Sequence, residues 1–243
     1  MANPTAAMLV IGDEILSGRT RDANMHHLAG RLTDVGIDLK EVRIVSAHAP
    51  AIIDAVQALS KGFDHVFTSG GIGPTHDDIT ADCIAKAMGA PIDVRDDARA
   101  ILQAHYARQG SALNAARLRM ARIPEGATLL DNPVSAAPGF TLGNVHVMAG
   151  VPSIFQAMVE TVLPTLTGGQ PLLSETVTVS RGEGDIAGPL GDLAQSFPTR
   201  GFGSYPYMRD GLYGANIVIR GTSGDDVKAA KTQLIAMFAG DAS

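Results

Sequence analysis

Thr68-Ser-Gly-Gly-Ile-Gly-Pro-Thr-His-Asp-Asp-Ile-Thr80 is the stretch that decides the fold of this chain. The apolar run Phe63–Phe67 leads into it, and Ile79–Met88, with helical spacing, leaves it. Strand, glycine-rich turn and helix N-terminus, in that order, build an anion site in α/β proteins. Free backbone N–H groups face the ligand, and the helix dipole favours negative charge there. This loop, however, ends in two acids, Asp77 and Asp78, and no lysine or arginine occurs between Lys61 and Lys86. A carboxylate about 4 Å from a phosphate oxygen is repelled by roughly 4 kcal/mol at an effective dielectric of about 20. A divalent cation bridging acid and phosphate removes that conflict, so phosphate chemistry here is expected to depend on a metal. The plainer alternative is that one of the acids only caps the helix.

Upstream, Ala6–Ile11 reads as a buried first strand ending at Gly12, followed by the turn-rich segment GDEILSGRTRD. Asp22 is placed to cap a helix with apolar positions Met25, Leu28, Ala29, Leu32 and Val35, which Gly36 closes. Ile37–Ser46 alternates as a strand, and Ile52, Ile53, Val56 and Leu59 mark a second helix. Three strand–helix units in succession predict a mostly parallel sheet covered on both faces.

Downstream, helices are expected over 79–88, 96–109 and 113–122, then the turn-dense IPEGATLLDNPVSAAPGF. A strand over 144–148 follows, and Pro152 suits the first turn of a helix running to about Leu163. Thr167-Gly-Gly-Gln-Pro171 is the best boundary, giving domains 1–168 and 169–243. The tail reads strand–helix–strand–strand–helix, a small α+β unit. Ligands of open α/β sheets bind beyond the carboxyl ends of the strands. Four loops therefore become candidates for one site: Gly12–Gly18, Gly70–Asp78, Asn132–Gly139 and Gly150–Ser153. Asn24 is within reach of the same cleft, with a polar helix surface as its plain alternative.

Composition removes several function classes. The net charge is −6, and the dispersed Arg117, Arg119 and Arg122 read as a solvated helix face with a phosphate contact as the alternative. Positions 172–243 carry six basic and eight acidic residues, a poor footprint for RNA despite Gly188-Pro-Leu-Gly191, which reads instead as a helix interruption or packing feature. No apolar run is long enough to span a bilayer, and Met1–Glu14 lacks the features of a secretory signal. The single cysteine, Cys83, fits a reducing cytoplasm and a core position. Neither a Walker A sequence nor a dinucleotide fingerprint is present, because no Gly-Lys follows the glycines and His76 stands at the third glycine position. Histidine spacing does not suit zinc, and no serine lies in a G-x-S-x-G elbow.

GDEILSG, Asn24, SGGIGPTHDDIT, NPVSAAPG and AGVPS together resemble the N-terminal domain of the competence/damage-inducible protein A (CinA) family, over Ala6 to about Leu166. That domain shares the molybdopterin-binding fold of the Mog/MoaB type. The resemblance implies a three-layer α/β/α domain, usually in a homodimer or homotrimer, and a tail that looks like a small KH-type domain. Residue by residue, Asp13, Ser17 and Gly18 match the first acidic loop, with Gly12 and Glu14 beside them. Gly70, Gly71, Gly73, Thr75, Asp78 and Thr80 match the glycine signature, which also encloses Pro74. Asn132, Pro138, Gly139, Gly150 and Pro152 belong to the remaining two loops. Three departures stand out: Ser135 and Ala136 replace Gly and Thr, Ile154 replaces a common Glu, and no deamidase domain follows, so deamidation is expected to be absent.

The resemblance implies a metal-dependent nucleotide pyrophosphatase acting on ADP-ribose or a similar dinucleotide, since members resembling this group hydrolyse such bonds and a related domain accompanies eukaryotic FAD synthase. Asp78, Asp77 and Asp13 are the expected catalytic acids, with Asp78 and Asp13 holding the divalent ion (Mg, Mn or Co). Two alternatives stand beside it: molybdopterin binding or adenylylation, and a non-enzymatic nucleotide-binding module. The expected partners are a small nucleotide or pterin phosphate and further copies of the chain, with neither nucleic acid nor membrane.

Overall fold

The computed structural model describes residues 2–209 and 211–242. They form two compact units, Met1–Gly169 and Gln170–Ser243.

In the first unit the chain runs β1 (Thr5–Ile11), α1 (Asp13–Leu16), α2 (Asn24–Asp34), β2 (Asp38–Val45), α3 (Ala49–Gly62), β3 (His65–Ser69) and α4 (Thr80–Met88). It continues through β4 (Ile92–Val94), α5 (Asp96–Arg108), α6 (Ala115–Leu118), β5 (Arg122–Pro124), β6 (Thr128–Leu130), β7 (Gly139–Leu142), β8 (Val145–Met148) and α7 (Pro152–Val162). The main sheet has the order β2-β1-β3-β8-β7-β6. β2, β1, β3 and β8 are parallel, and β7 and β6 complete the edge by antiparallel pairing.

The apolar run of β1 is continuous because the strand is buried on both faces. Ala7, Leu9 and Ile11 pack with Ile52, Val56 and Leu59 of α3 and Ile84 of α4. The alternate residues Ala6, Met8 and Val10 pack with Leu28 and Leu32 of α2 and with Phe155, Met158 and Val159 of α7. This is the expected three-layer α/β/α architecture. Because β1, β3 and β8 run the same way, their following loops emerge at one edge of the sheet. His146 on β8 is the histidine of this core, 3% exposed, with its ring 4.9 Å from that of Phe67.

Between α5 and β7 the structure departs from the expected helix over 113–122. Only the four residues of α6 are α-helical, and one 3-10 turn, Arg119–Ala121, carries the chain into β5. The Asn114 side chain caps α6 by accepting from the Arg117 N–H at 2.9 Å. Pro124 then disfavours helical backbone at Ile123, and β5 pairs with β4 instead. The turn-dense segment after it also holds two short strands, β6 and β7, whose three and four residues are too few for alternation to register.

The second unit is β9 (Leu173–Val179), α8 (Glu183–Ser196), β10 (Gly201–Arg209), β11 (Leu212–Gly221) and α9 (Gly224–Met237). Its antiparallel sheet has the order β10-β11-β9. Val177, Val179, Ile217 and Ile219 from the sheet pack with Ile186, Leu190 and Leu193 of α8 and Leu234 of α9. Gly188-Pro-Leu-Gly191 lies inside α8, which continues through Pro189, so it neither interrupts the helix nor forms an exposed loop.

Candidate functional site

The glycine loop leaves β3 through backbone that only glycine accommodates. Gly70 has φ +108°, and a Cβ there would lie 2.2 Å from the Ile11 carbonyl oxygen. At Gly71, with φ +70°, a Cβ would lie 2.2 Å from Thr80 Oγ1. Thr80 closes the turn: its hydroxyl donates to the Gly70 carbonyl at 2.9 Å and its N–H to the Gly71 carbonyl at 3.0 Å. Thr80 therefore shapes the loop from within, and it is fully buried.

Asn24 joins the other strand ends. Its Nδ2 donates to Ser69 Oγ and to the Gly150 carbonyl, both at 2.8 Å, which ties the start of α2 to the ends of β3 and β8. It is 3% exposed, and its Oδ1 has no partner among the described residues, nor does Thr68 Oγ1 one residue before Ser69. Asp22 does cap this helix, accepting from the Met25 N–H at 2.8 Å.

The acids divide. Asp78 Oδ2 accepts from the Thr75 N–H at 2.8 Å and from the Thr75 hydroxyl at 2.5 Å, so its carboxylate folds back over the loop. This explains Gly73, where a Cβ would lie 2.6 Å from Asp78 Oδ2. Thr75, followed by Asp77's own backbone amide, also holds the Asp77 carboxyl below the usual carboxylate range, but Asp77 is exposed and faces His76 at 3.9 Å. Asp13 opens α1, is exposed, and accepts from the Ala47 N–H at 3.4 Å.

One cleft lies against the loop. Gly71, Ile72 and Gly73 form one side with Asp78, Ala81 and Asp82, and Arg119, Met120, Arg122 and Ile123 form another with Pro138 and Phe140. Of the expected residues, Gly71, Gly73, Asp78 and Pro138 line it, whereas Asp13, Glu14, Ser17, Gly18, Pro74, Asp77 and Pro152 do not. Gly12 is buried at the end of β1, donating to the Val45 carbonyl at 3.1 Å, with Glu14 folded over it. Asn132 is absorbed by its own loop: Nδ2 donates to Ser135 Oγ at 2.7 Å and the Ala137 carbonyl at 2.8 Å, and Oδ1 accepts from the N–H groups of Val134 and Ser135. Ala136 in that loop takes φ +60°, a left-handed conformation uncommon for alanine. Gly139 makes room for strand packing, since a Cβ would lie 2.2 Å from the Val147 carbonyl oxygen. Ile154, the departure from the family's common Glu, lies in the first turn of α7 and packs against the core.

The sequence reading preferred a solvated face for the arginines that line this cleft and kept a phosphate contact as the alternative. The loop has no base of its own, yet Arg119 donates to the Asp78 carbonyl at 3.3 Å across 41 residues of chain. Arg122 donates to Asp82 Oδ1 at 2.5 Å and lies 3.9 Å from Asp93, and this pairing with Asp82 first, then Asp93, raises its pKa above the ordinary arginine value. Arg122 is thus ion-paired rather than free on a solvated face, while Arg119 stands exposed on the wall of the cleft. No periodic signal marked them, because the helix expected to carry them does not form.

No group of three or more His, Cys, Asp or Glu that could hold a metal occurs among the described residues. A cage made wholly by protein is therefore not offered. The donor set fits a hard ion such as Mg, which takes one or two carboxylates and draws its other ligands from phosphate and water. Asp78 is the cleft carboxylate that would hold such an ion, with Asp82 beside it already engaged by Arg122.

Residues 7–168 match the family model described as a probable molybdopterin binding domain. The chain belongs to that family. A crystal structure of the protein CinA from Thermoplasma acidophilum is 32% identical, with a TM-score of 0.61, over 66% of this chain and 98% of that one. A CinA-like protein of Myxococcus xanthus is 37% identical over 166 residues, 65% of this chain and 39% of that protein. The molybdopterin-binding-domain match stops at the unit boundary, and residues 171–243 match the FAD synthase middle domain. The KH-type expectation for the tail is corrected by that match. A probable FAD synthase of Caenorhabditis elegans is 31% identical over 261 residues, 97% of this chain and 50% of that protein. The chain thus spans about half the length of the curated relatives it matches first. No helix of the described residues is long and apolar enough to cross a membrane.

Proposed function

We propose that the first unit is a metal-dependent nucleotide pyrophosphatase, acting on ADP-ribose or a related dinucleotide such as FAD. The observation that carries this reading is the cleft itself, where glycine-loop backbone, a carboxylate and guanidinium groups converge in one place. Gly71 and Gly73 let the Thr80 hydroxyl and the Asp78 carboxylate close onto the loop backbone, which brings the acid to the cleft. Met120, Pro138 and Phe140 give the opposite wall an apolar character. A divalent ion held by Asp78 would polarise the phosphoryl oxygens and lower the pKa of a bound water. The likeness to a probable FAD synthase across nearly the whole chain supports a nucleotide rather than an unrelated ligand.

The test is AMP release from ADP-ribose and from FAD with Mg, Mn or Co added. Asp78→Asn is expected to lower turnover about 100-fold or more. The amide oxygen can still accept from Thr75, so the loop should keep its shape. No turnover by the wild type over such a panel defeats the reading.

The family description favours one second reading, the binding or adenylylation of molybdopterin in the same cleft. Quenching of pterin fluorescence on titration with the protein would support it, and an unchanged signal would end it.

A further inference from the structure

We infer that Arg119 is the ligand-facing cation of this cleft and binds the phosphate group that the glycine loop leaves uncompensated. The inference rests on the pyrophosphate reading above and adds to it a residue outside the glycine signature.

Three arginines follow one another in this segment, and the fold gives each a different partner. The Arg117 guanidinium stacks 4.2 Å from the centre of the Tyr106 ring and donates to the Ala112 carbonyl at 2.6 Å, away from the cleft. Arg122 lines the cleft, but its charge is matched by Asp82 and, at longer range, Asp93. Arg119 lines the same cleft, is exposed, and has no ion pair among the described residues. Its hydrogen bond to the Asp78 carbonyl, at 3.3 Å, is long for an N–H···O contact and engages one nitrogen of a five-donor group. A guanidinium is always protonated and offers paired donors that match two oxygens of a phosphate.

Charge balance points the same way. Asp78 and Asp82 bring two negative charges to the cleft, and Arg119 and Arg122 bring two positive ones. Asp82 and Arg122 satisfy each other, which leaves Asp78 and Arg119 facing an incoming pyrophosphate. The carboxylate repels that anion, or holds it through a cation. Arg119 attracts it directly. The 3-10 turn that carries Arg119 starts immediately after α6, so the capping of α6 by Asn114 and the pairing of β5 with β4 fix where the arginine emerges.

The experiment uses the whole chain and two readouts: calorimetric binding of inorganic pyrophosphate with Mg present, and the kinetics of AMP release from ADP-ribose. Arg119→Ala is expected to weaken pyrophosphate binding by roughly tenfold or more and to raise KM more than it lowers kcat. Arg119→Lys should recover part of the affinity, since charge remains while the paired donors are lost. Arg99→Ala removes the same charge from α5 outside the cleft and should change neither readout. Unchanged melting temperatures would show that the exposed side chain was removed without harm to the fold. Arg119-dependent pyrophosphate binding without turnover would sustain this inference while defeating the enzymatic reading. Turnover with unaltered KM and affinity in Arg119→Ala, or no pyrophosphate binding by the wild type, would overturn it.

Discussion

Asn24 shows how one buried side chain can define a site edge without touching the glycine loop. Its two donated bonds, to Ser69 and to Gly150, join the ends of β3 and β8, which are separated by a long stretch of chain. Removing it leaves a buried hydroxyl and a backbone carbonyl without their donor, at a cost of about 1–3 kcal/mol. Asn24→Ala is expected to lose that much stability in urea denaturation. Asn24→Asp should fare worse, because a carboxylate would then face the Gly150 carbonyl with no proton to give. Asn24 was legible as a candidate from its place beside the first acidic loop, but its structural duty was not. Asn132 is the reverse case. Its position in the third loop suggested ligand contact, and its four hydrogen bonds are all spent inside that loop.

At the scale of elements, periodicity announced the long helices and the buried strands and stayed silent about the short ones. β1 and α2 were readable because each repeats its pattern over seven or more residues. α6, β5 and β6 hold three or four residues each, and what keeps them in place is a cap, a proline and pairing with a distant strand. α8 carries a tension of another kind. Pro189 lies in its interior, where it lacks the N–H that would bond the carbonyl four residues earlier. Ile186, Leu190 and Leu193, all buried, keep the helix in place against that loss. Pro189→Ala is expected to stabilise the second unit by about 1 kcal/mol or more, reduced from the full helix penalty by the greater freedom of the unfolded chain. A thermal melt of the variant followed by circular dichroism checks this.

At the scale of the whole molecule, each unit has its own hydrophobic core, and pH acts on the first through the buried His146 and its half-buried neighbour His65. Burial, with His65 adding to it, lowers the His146 pKa from 6.5 to about 4. Its Nδ1 lies 3.0 Å from the Thr141 hydroxyl and its Nε2 3.4 Å from His65. Burial lowers the His65 pKa as well, with Asp64 acting against it. The unfolded chain therefore binds a proton more readily than the folded unit. This contribution to stability is complete above pH 6.5 and fades as pH falls toward 4, with a loss of about 2 kcal/mol by pH 5. Urea denaturation at pH 7 and pH 5 should show that loss, and His146→Gln should flatten it. The sequence alone determined the strand–loop–helix order, the two-sided burial of β1, the glycine loop and the α+β pattern of the tail. Each of these is written in spacing between near neighbours or in backbone conformations that few residues can take. Only the tertiary structure decided that Asp78 lies in the cleft while Asp13 and Asp77 line none of it, and that an arginine 41 residues away supplies the charge the loop lacks. Those facts depend on contacts between segments far apart in the chain, and such contacts leave no repeat in the sequence that joins them.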